Sequence, residues 1–311
     1  MPWLAQPNLA FDALQAATVG ACGRVVVAGS RRGLPACVTW SDDGGRSWSV
    51  IDREGVGAHA TIAPRAGAGL LQWSGSSLSI TDDFAAWTRE DVGSLEASAL
   101  QDQSSASRGG TLPTQVAGEL PGASASIVLC DTWYNSYSDD ALSAVQIFVR
   151  GEPRPRLVLE QYGGLTEVLV RGARIYAAEG PCGWILASSD AGATWDKTLL
   201  PSYGALAIDA GEVFWLVESR ERARVFTSSD GGAAWRELAA PRNEGFDAIA
   251  AEGRFVVLRD ARHGTLHVSS DGGASFSTTP PVGDVTKRKK LLAHPRGVLV
   301  VEEAGALWTW A

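Results

Sequence analysis

Four aspartates share one setting. Asp43 lies in SDDGGRSW (Ser41 to Trp48), Asp190 in SSDAGATW (Ser188 to Trp195), Asp230 in SSDGGAAW (Ser228 to Trp235) and Asp271 in SSDGGASF (Ser269 to Phe276). A decayed copy, ITDDFAAW, runs from Ile80 to Trp87. A recurring carboxylate could act as an acid or base, hold a metal, or organise a turn. The neighbours favour the turn. Polar residues and glycines follow an apolar run, so the chain reverses there. The carboxylate accepts N–H groups of its own turn, Gly supplies positive φ, and the closing aromatic (Trp48, Trp195 or Trp235) starts the next strand and buries its ring. Each copy reads as a hairpin staple.

Other chemistry-bearing residues form no recognisable cluster. His59, His263, His267 and His294 are scattered, and Cys22, Cys37, Cys130 and Cys182 contain no C-x-x-C pair, so neither a metal nor a cofactor is expected. No G-x-S-x-G and no phosphate loop occur. The run Lys287-Arg288-Lys289-Lys290 reads as a solvated connection. The net charge of −8 on 311 residues argues against a nucleic-acid binder, and no apolar run reaches membrane-spanning length. The N-terminus lacks the pattern of a secretory leader, and the cysteines read as free thiols, so the expected compartment is the cytoplasm.

The elements that position these residues are short strands. The turn aromatics Trp48, Trp87, Trp195, Trp235 and Phe276 are 39, 108, 40 and 41 residues apart. Between them recur β-branched and aromatic runs such as RVVVAG, VFWLVE and RFVVLR, bounded by Gly, Asp and Ser. A unit of about 40 residues with four short strands is a propeller blade. The S-x-D-x-G-x-x-W pattern also resembles the Asp-box (BNR) repeat of sialidases and other β-propellers. Both readings imply an all-β propeller of four-stranded antiparallel blades, one domain over residues 1–311, and counting the units makes it a seven-bladed β-propeller, one blade more than is usual for sialidases.

Two units depart from the repeat. The third has strands expected at 114–117, 127–133, 145–150 and 156–160, with RGEPRPR where a box would stand and residues 91–110 as a long Ser/Gly-rich loop. The last unit ends after its third strand, at Ala306 to Trp310, while Pro2-Trp3-Leu4-Ala5 resembles the start of a fourth. The N-terminal strand is therefore expected to close the last blade, with Trp3 in the place of a box aromatic.

Topology then sorts the turns. Boxes lie between third and fourth strands, on one face, and the turns between second and third strands lie on the other. That opposite face collects Arg31, Tyr134, Tyr137, Asp139, Tyr162, Trp184, Arg222 and His263, a mixture suited to a polar ligand or a protein surface. The resemblance to sialidases stops at the boxes, because their early R-I-P motif is missing and Pro153-Arg154-Pro155-Arg156 falls on the box face. The boxes and blade count are similar to those of propellers that assist photosystem II assembly, which bind partner proteins. The leading expectation is a non-catalytic binding propeller for a protein or a small polar or glycan ligand. The alternative is an enzyme with its pocket at the channel mouth, acting on a glycan or tailoring a small molecule, with Asp139 or Asp140 paired to Glu218 or Glu302 as carboxylates.

Overall fold

The computed structural model describes the chain apart from residues 1–2, 7–8, 10, 21, 32–33, 53–60, 66–68, 75–76, 93–107, 112–114, 123–125, 136–139, 153–154, 163, 180–182, 219–222, 242–244, 284–288, 303–304 and 311. Every regular element among the described residues is a β-strand. The first, β1 (Leu4–Gln6), is set aside from the sheet that follows it. Blade 1 is β2 (Ala13–Val19), β3 (Val25–Arg31), β4 (Leu34–Ser41) and β5 (Ser49–Asp52). Blade 2 is β6 (Thr61–Pro64), β7 (Leu70–Ser74), β8 (Ser77–Thr81) and β9 (Thr88–Asp91). Blade 3 has five strands, β10 (Arg108–Thr111), β11 (Gln115–Leu120), β12 (Ser126–Asn135), β13 (Asp140–Val149) and β14 (Arg156–Tyr162). Blade 4 is β15 (Leu165–Arg171), β16 (Arg174–Glu179), β17 (Trp184–Ser188) and β18 (Asp196–Leu199). Blade 5 is β19 (Gly204–Ile208), β20 (Phe214–Glu218), β21 (Val225–Ser228) and β22 (Arg236–Leu238). Blade 6 is β23 (Phe246–Glu252), β24 (Phe255–Asp260), β25 (Leu266–Ser269) and β26 (Ser277–Thr279). Blade 7 is β27 (Lys289–His294), β28 (Gly297–Glu302) and β29 (Leu307–Trp310), completed by β1. Every sheet is antiparallel, those of blades 1, 2, 4, 5 and 6 are simple meanders, and the chain is a seven-bladed β-propeller.

The described residues divide into two compact units, 1–58 with 200–311, and 59–199. The first holds blades 5, 6, 7 and 1, and the second holds blades 2, 3 and 4. Within each unit the first strands of consecutive blades touch, β19 to β23 to β27 to β2, and β6 to β11 to β15. Crowding of backbones there suits small residues, and β2 (ALQAATV), β19 (GALAI) and β23 (FDAIAAE) are alanine-rich. The second strand of blade 7 is covered by blade 6 on one side and blade 1 on the other, so GVLVVE is a continuous apolar run without alternation, and VVVAG and FWLVE are buried runs of the same kind. Outer strands such as β18 (DKTL) are mostly exposed. Inter-blade cores follow from this, three of which show the pattern. One joins Leu71, Trp73 and Ile80 to Ile127, Leu129 and Phe148, a second joins Val217 and Phe246 to Val256 and Leu258, and a third joins Val257 and Val268 to Val298 and Trp310.

Blade 7 closes as the sequence implies. Leu4, Ala5 and Gln6 pair with Thr309, Trp308 and Leu307, and Gln6 Nε2 donates to Thr309 Oγ1 at 2.9 Å. The Trp3 indole donates to Thr279 Oγ1 on β26, the outer strand of blade 6, at 2.8 Å. Trp195 does the same in blade 4, its Nε1 donating 3.0 Å to the carbonyl of Val158 on β14, the outer strand of blade 3. The chain then enters blade 1 through Leu9, whose N–H donates to Gly305 O, and Phe11, which packs on Gly29.

Blade 3 differs from its expected form. Its middle strands extend to ten residues each and pair without interruption from Ser126 with Val149 to Asn135 with Asp140. β11 covers only Ser126 to Cys130 of β12, and β10 takes the distal part, pairing Arg108 with Asn135 and Thr111 with Trp133. The segment expected as a loop at 91–110 therefore ends in a strand from Arg108, and Asp91 closes β9, while 93–107 lie outside the described residues. Arg-Gly-Gly-Thr carries no apolar alternation, which is why its pairing is invisible in the sequence.

Two measurements check this account. Trp195→Ala lowers the unfolding free energy by about 3 kcal/mol, and Trp195→Phe, which keeps the ring but loses the indole donor, by about 1 kcal/mol, both read by urea denaturation. Deleting residues 1–6 uncovers the edge of β29, lowering the melting temperature and causing aggregation visible by light scattering. A soluble deletion variant with an unchanged melting temperature would contradict the closure.

Candidate functional site

The recurring aspartates are committed to their turns. Asp43 Oδ1 accepts the N–H groups of Arg46 and Ser47, each at 2.9 Å, and Oδ2 accepts the Ser47 hydroxyl at 2.7 Å. The Ser41 hydroxyl donates to Asp43 at 2.8 Å and accepts the Gly45 N–H at 2.7 Å. The Ser188–Asp190, Ser228–Asp230 and Ser269–Asp271 pairs repeat this, with 2.9 Å from the N–H groups of Thr194, Ala234 and Ser275 to the carboxylates.

The two positions after the aspartate have different jobs. The second is Gly45, Gly192 or Gly273, each in the left-handed region. A Cβ there would lie 2.6 Å from Leu299 Cδ2 of blade 7, 2.6 Å from Val158 of blade 3 and 2.9 Å from Leu238 of blade 5 respectively. That glycine thus lets the turn approach the preceding blade. The first position meets nothing within 4 Å at Gly231 and Gly272, so Ala191 serves there despite its φ of 56°.

The copy at 80–87 is shortened rather than decayed. Ile80 is a buried residue of β8, and Thr81 takes the serine's place, its hydroxyl accepting the Phe84 N–H at 2.9 Å. Asp83 accepts the N–H groups of Ala85 and Ala86. One residue is missing, and buried Phe84 occupies the left-handed position at φ 66° with its ring edge-on to Trp87.

These bonds stabilise the ionised form. The Thr194 hydroxyl and N–H hold Asp190 at about 2, and those of Ser275 hold Asp271 at about 2, against an ordinary 3.8. For Asp43, burial pushes the carboxyl up, but the bonds from Ser47, Ser41 and Arg46 outweigh it and leave it well below the usual range. Carboxylates held this low are poor general bases near neutrality. A depressed folded value means stability that is complete above about pH 4 and lost as pH falls towards 2. The melting-temperature gap between the wild type and Asp190→Asn is therefore constant from pH 7 to about 5 and narrows below about 4. A gap that persists unchanged at pH 2.5 would contradict the assignment.

The opposite face was expected to carry the ligand residues. Arg31 ends β3, where its backbone pairs with Leu34. Tyr134 stands opposite Ala141 in the extended part of β12, and Tyr162 ends β14 opposite Leu142. Only the backbone is described at these three residues, and Tyr137, Asp139 and Arg222 lie outside the described residues. Trp184, the first residue of β17, is half-buried with Lys197 Nζ 4.6 Å above its ring, and Lys197 also reaches Glu179 Oε2 at 3.3 Å. His263 lies in the turn after β24, where its N–H donates to Asp260 Oδ1 at 2.7 Å and its exposed ring approaches the same oxygen at 3.5 Å. Phe246 is fully buried at the start of β23.

One pattern on this face was missed from sequence. Glu179, Glu218, Asp260 and Glu302 each close the second strand of blades 4, 5, 6 and 7. The signal was the acid ending RIYAAE, FWLVE, FVVLRD and GVLVVE. Asp260 caps its turn through the N–H groups of Arg262 and His263, Glu179 meets Lys197, and Glu218 lies 3.9 Å from Arg224. Glu302 is buried against Gly283, where a Cβ would fall 2.7 Å from its carboxylate. Among the described residues no group of three His, Cys, Asp or Glu side chains is placed to hold a metal ion.

No family model matches the chain. No curated protein matches it in sequence. Solved structures match its fold. YCF48 bound to D1 peptide is similar with a TM-score of 0.64 at 14% identity, over 100% of this chain and 97% of that one. YCF48 from Cyanidioschyzon merolae is similar at 0.60 and 15%, over 100% and 98%. A chain of the mitotic checkpoint complex is similar at 0.56 and 11%, over 99% and 91%. Identities this low speak for the shared propeller fold alone.

Proposed function

We propose that this chain is a non-catalytic binding propeller whose partner is a protein, held at the ends of the blades opposite the Ser–Asp turns. The observation that carries this reading is blade 3. Its second and third strands continue through Asp131–Asn135 and Asp140–Ala144, beyond the part covered by β11, and an added strand β10 backs them. Local departures from a repeat concentrate where function is added. The extension carries Trp133, Tyr134 and Asn135, residue types that supply contact area at low entropy cost. The similarity to a propeller described as bound to a peptide supports a polypeptide partner over a glycan or small polar molecule.

The enzyme alternative is weaker. It drew on Glu218 or Glu302 as one carboxylate of a pair, and Glu302 is buried against Gly283 while Glu218 is near Arg224. We read the repeated turns as Asp boxes with a purely structural role, and the whole chain as one propeller domain. We assign it to the cytoplasm on the strength of its free thiols Cys22, Cys37 and Cys130, with neither a nucleic-acid nor a membrane partner.

The experiment is a Tyr134→Ala/Tyr137→Ala double variant beside Asp230→Ala, each used as bait against proteins of its native host. The tyrosine variant keeps the wild-type melting temperature and loses the captured partner. The Asp230 variant melts lower and keeps the partner at temperatures where it is folded. Retention by the tyrosine variant, or loss by the folded Asp230 variant, would overturn the reading.

A further inference from the structure

Blade 3 carries a strand edge at an unusual place. β10 (Arg108–Thr111) pairs with the distal part of β12 and with no other strand among the described residues. It lies along the same edge of β12 as β11, which covers only Ser126 to Cys130. First strands crowd one another on their inner side, as β6 and β15 crowd β11. β10 lies past the end of β11, beside Trp133 to Asn135, so its free edge faces inward at the end of the blade away from the turn at Arg150.

That edge suits another backbone. Arg108 stands opposite Asn135 and Thr111 opposite Trp133, so Gly109 and Gly110 together oppose the single residue Tyr134. Such a bulge turns part of a strand away from its ladder. A strand sends its N–H and C=O groups alternately to its two sides, so β10 presents groups away from β12 that no described strand pairs. Two glycines offer no Cβ to keep a second chain off. The outer-edge strands of other blades are guarded differently. β9 (TRED), β18 (DKTL) and β22 (REL) are rich in charge, a common means of discouraging strand addition. The charge beside β10 also has a sign. The extension beyond β11 holds Asp131 and Asp140 and, among its described residues, neither Lys nor Arg, with Arg108 on β10 itself.

We propose that the free edge of β10 takes an extended segment of the partner protein, one bearing Lys or Arg, which adds to the blade 3 sheet as a further strand. Main-chain hydrogen bonds to β10 supply the attraction and fix the register, and the aspartates of the extension select the basic side chains. This mode of binding rests on the reading above that the partner is a protein held at this face.

The test uses the full chain and a display library of random peptides of about eight residues, within the usual range of strand lengths. Selection enriches peptides containing Lys or Arg. A synthetic peptide from that set slows amide hydrogen exchange within Arg108–Thr111 by about tenfold or more. Methylating its backbone nitrogens one at a time weakens binding about tenfold at alternate positions and little between them, because only every second N–H of an added strand points at β10. Asp131→Asn/Asp140→Asn weakens the same peptide severalfold, and raised salt does likewise to the wild type. Methylation without a period of two, protection confined to amides outside β10, or enriched peptides lacking Lys and Arg would overturn strand addition and leave the partner surface to its own capture experiment. β10 amides that exchange slowly before any peptide is added would show the edge already taken, by this chain or a second copy of it. That result, or a library that yields no binder, would also overturn the proposal.

Discussion

A carboxylate that gathers the N–H groups of its own turn is the interaction on which most of the blades depend. A blade of four strands has to end its third strand, reverse, and lay the fourth against solvent. It must also seat that turn on the blade before it. The Ser–Asp network settles the first requirement by occupying backbone donors that would otherwise be stranded. It leaves the second glycine in the left-handed region with its Cα against the preceding blade, at Leu299, Val158 or Leu238. One short motif thus serves both the hairpin and the seam between blades.

The blades without the motif show which half matters more. Blade 7 has no third-to-fourth turn, because its outer strand comes from the other end of the chain, yet Trp3 still reaches the outer strand of blade 6 through Thr279. Blade 3 turns through Arg150, Gly151 and Glu152, with only the Glu152 N–H to Val149 O bond described in the turn. It compensates with an ion pair from Arg150 to Glu90 on β9, the outer strand of blade 2, and with Arg156 Nη2 donating to Ala191 O of blade 4. The contact to the neighbour survives when the carboxylate is lost. Docking between blades is therefore the stronger constraint, and the aspartate is one means of meeting it.

Much of this was legible in the sequence because the same physics is written several times. The period, the apolar second strands and the exchange of the N-terminal strand all follow from positions such as Val25–Ala28, Phe214–Val217 and Trp3. The parts that stayed hidden are those that occur once. Thr81 and Asp83 do the work expected one residue earlier, since alignment on Trp87 cannot show that a residue has been dropped from the turn. β10 has two glycines in four residues and no pattern to betray a strand. His294 looks like any other scattered histidine until the fold brings Gly44 and Arg296 to its ring. Face and blade could be read for Arg31, Tyr134 and Trp184, but not that Lys197 lies over the Trp184 ring.

The acids at the ends of the second strands constrain where a ligand can be bound. Glu179, Glu218, Asp260 and Glu302 recur at one position in four successive blades, which at first sight suits a binding surface. Their partners argue otherwise. Asp260 is 1% exposed and takes two N–H groups of the turn that follows it, and Glu179, 5% exposed, takes the lysine that covers Trp184. A buried carboxylate already bonded within its own blade would have to give up those bonds to meet a ligand, leaving buried donors unpaired. Recurrence in a repeat protein reflects what every unit needs in order to fold. A ligand breaks the symmetry of the repeat, so we propose that it meets residues the other blades lack. Among the described residues on the face opposite the Ser–Asp turns, those are the distal halves of β12 and β13 with β10 beside them.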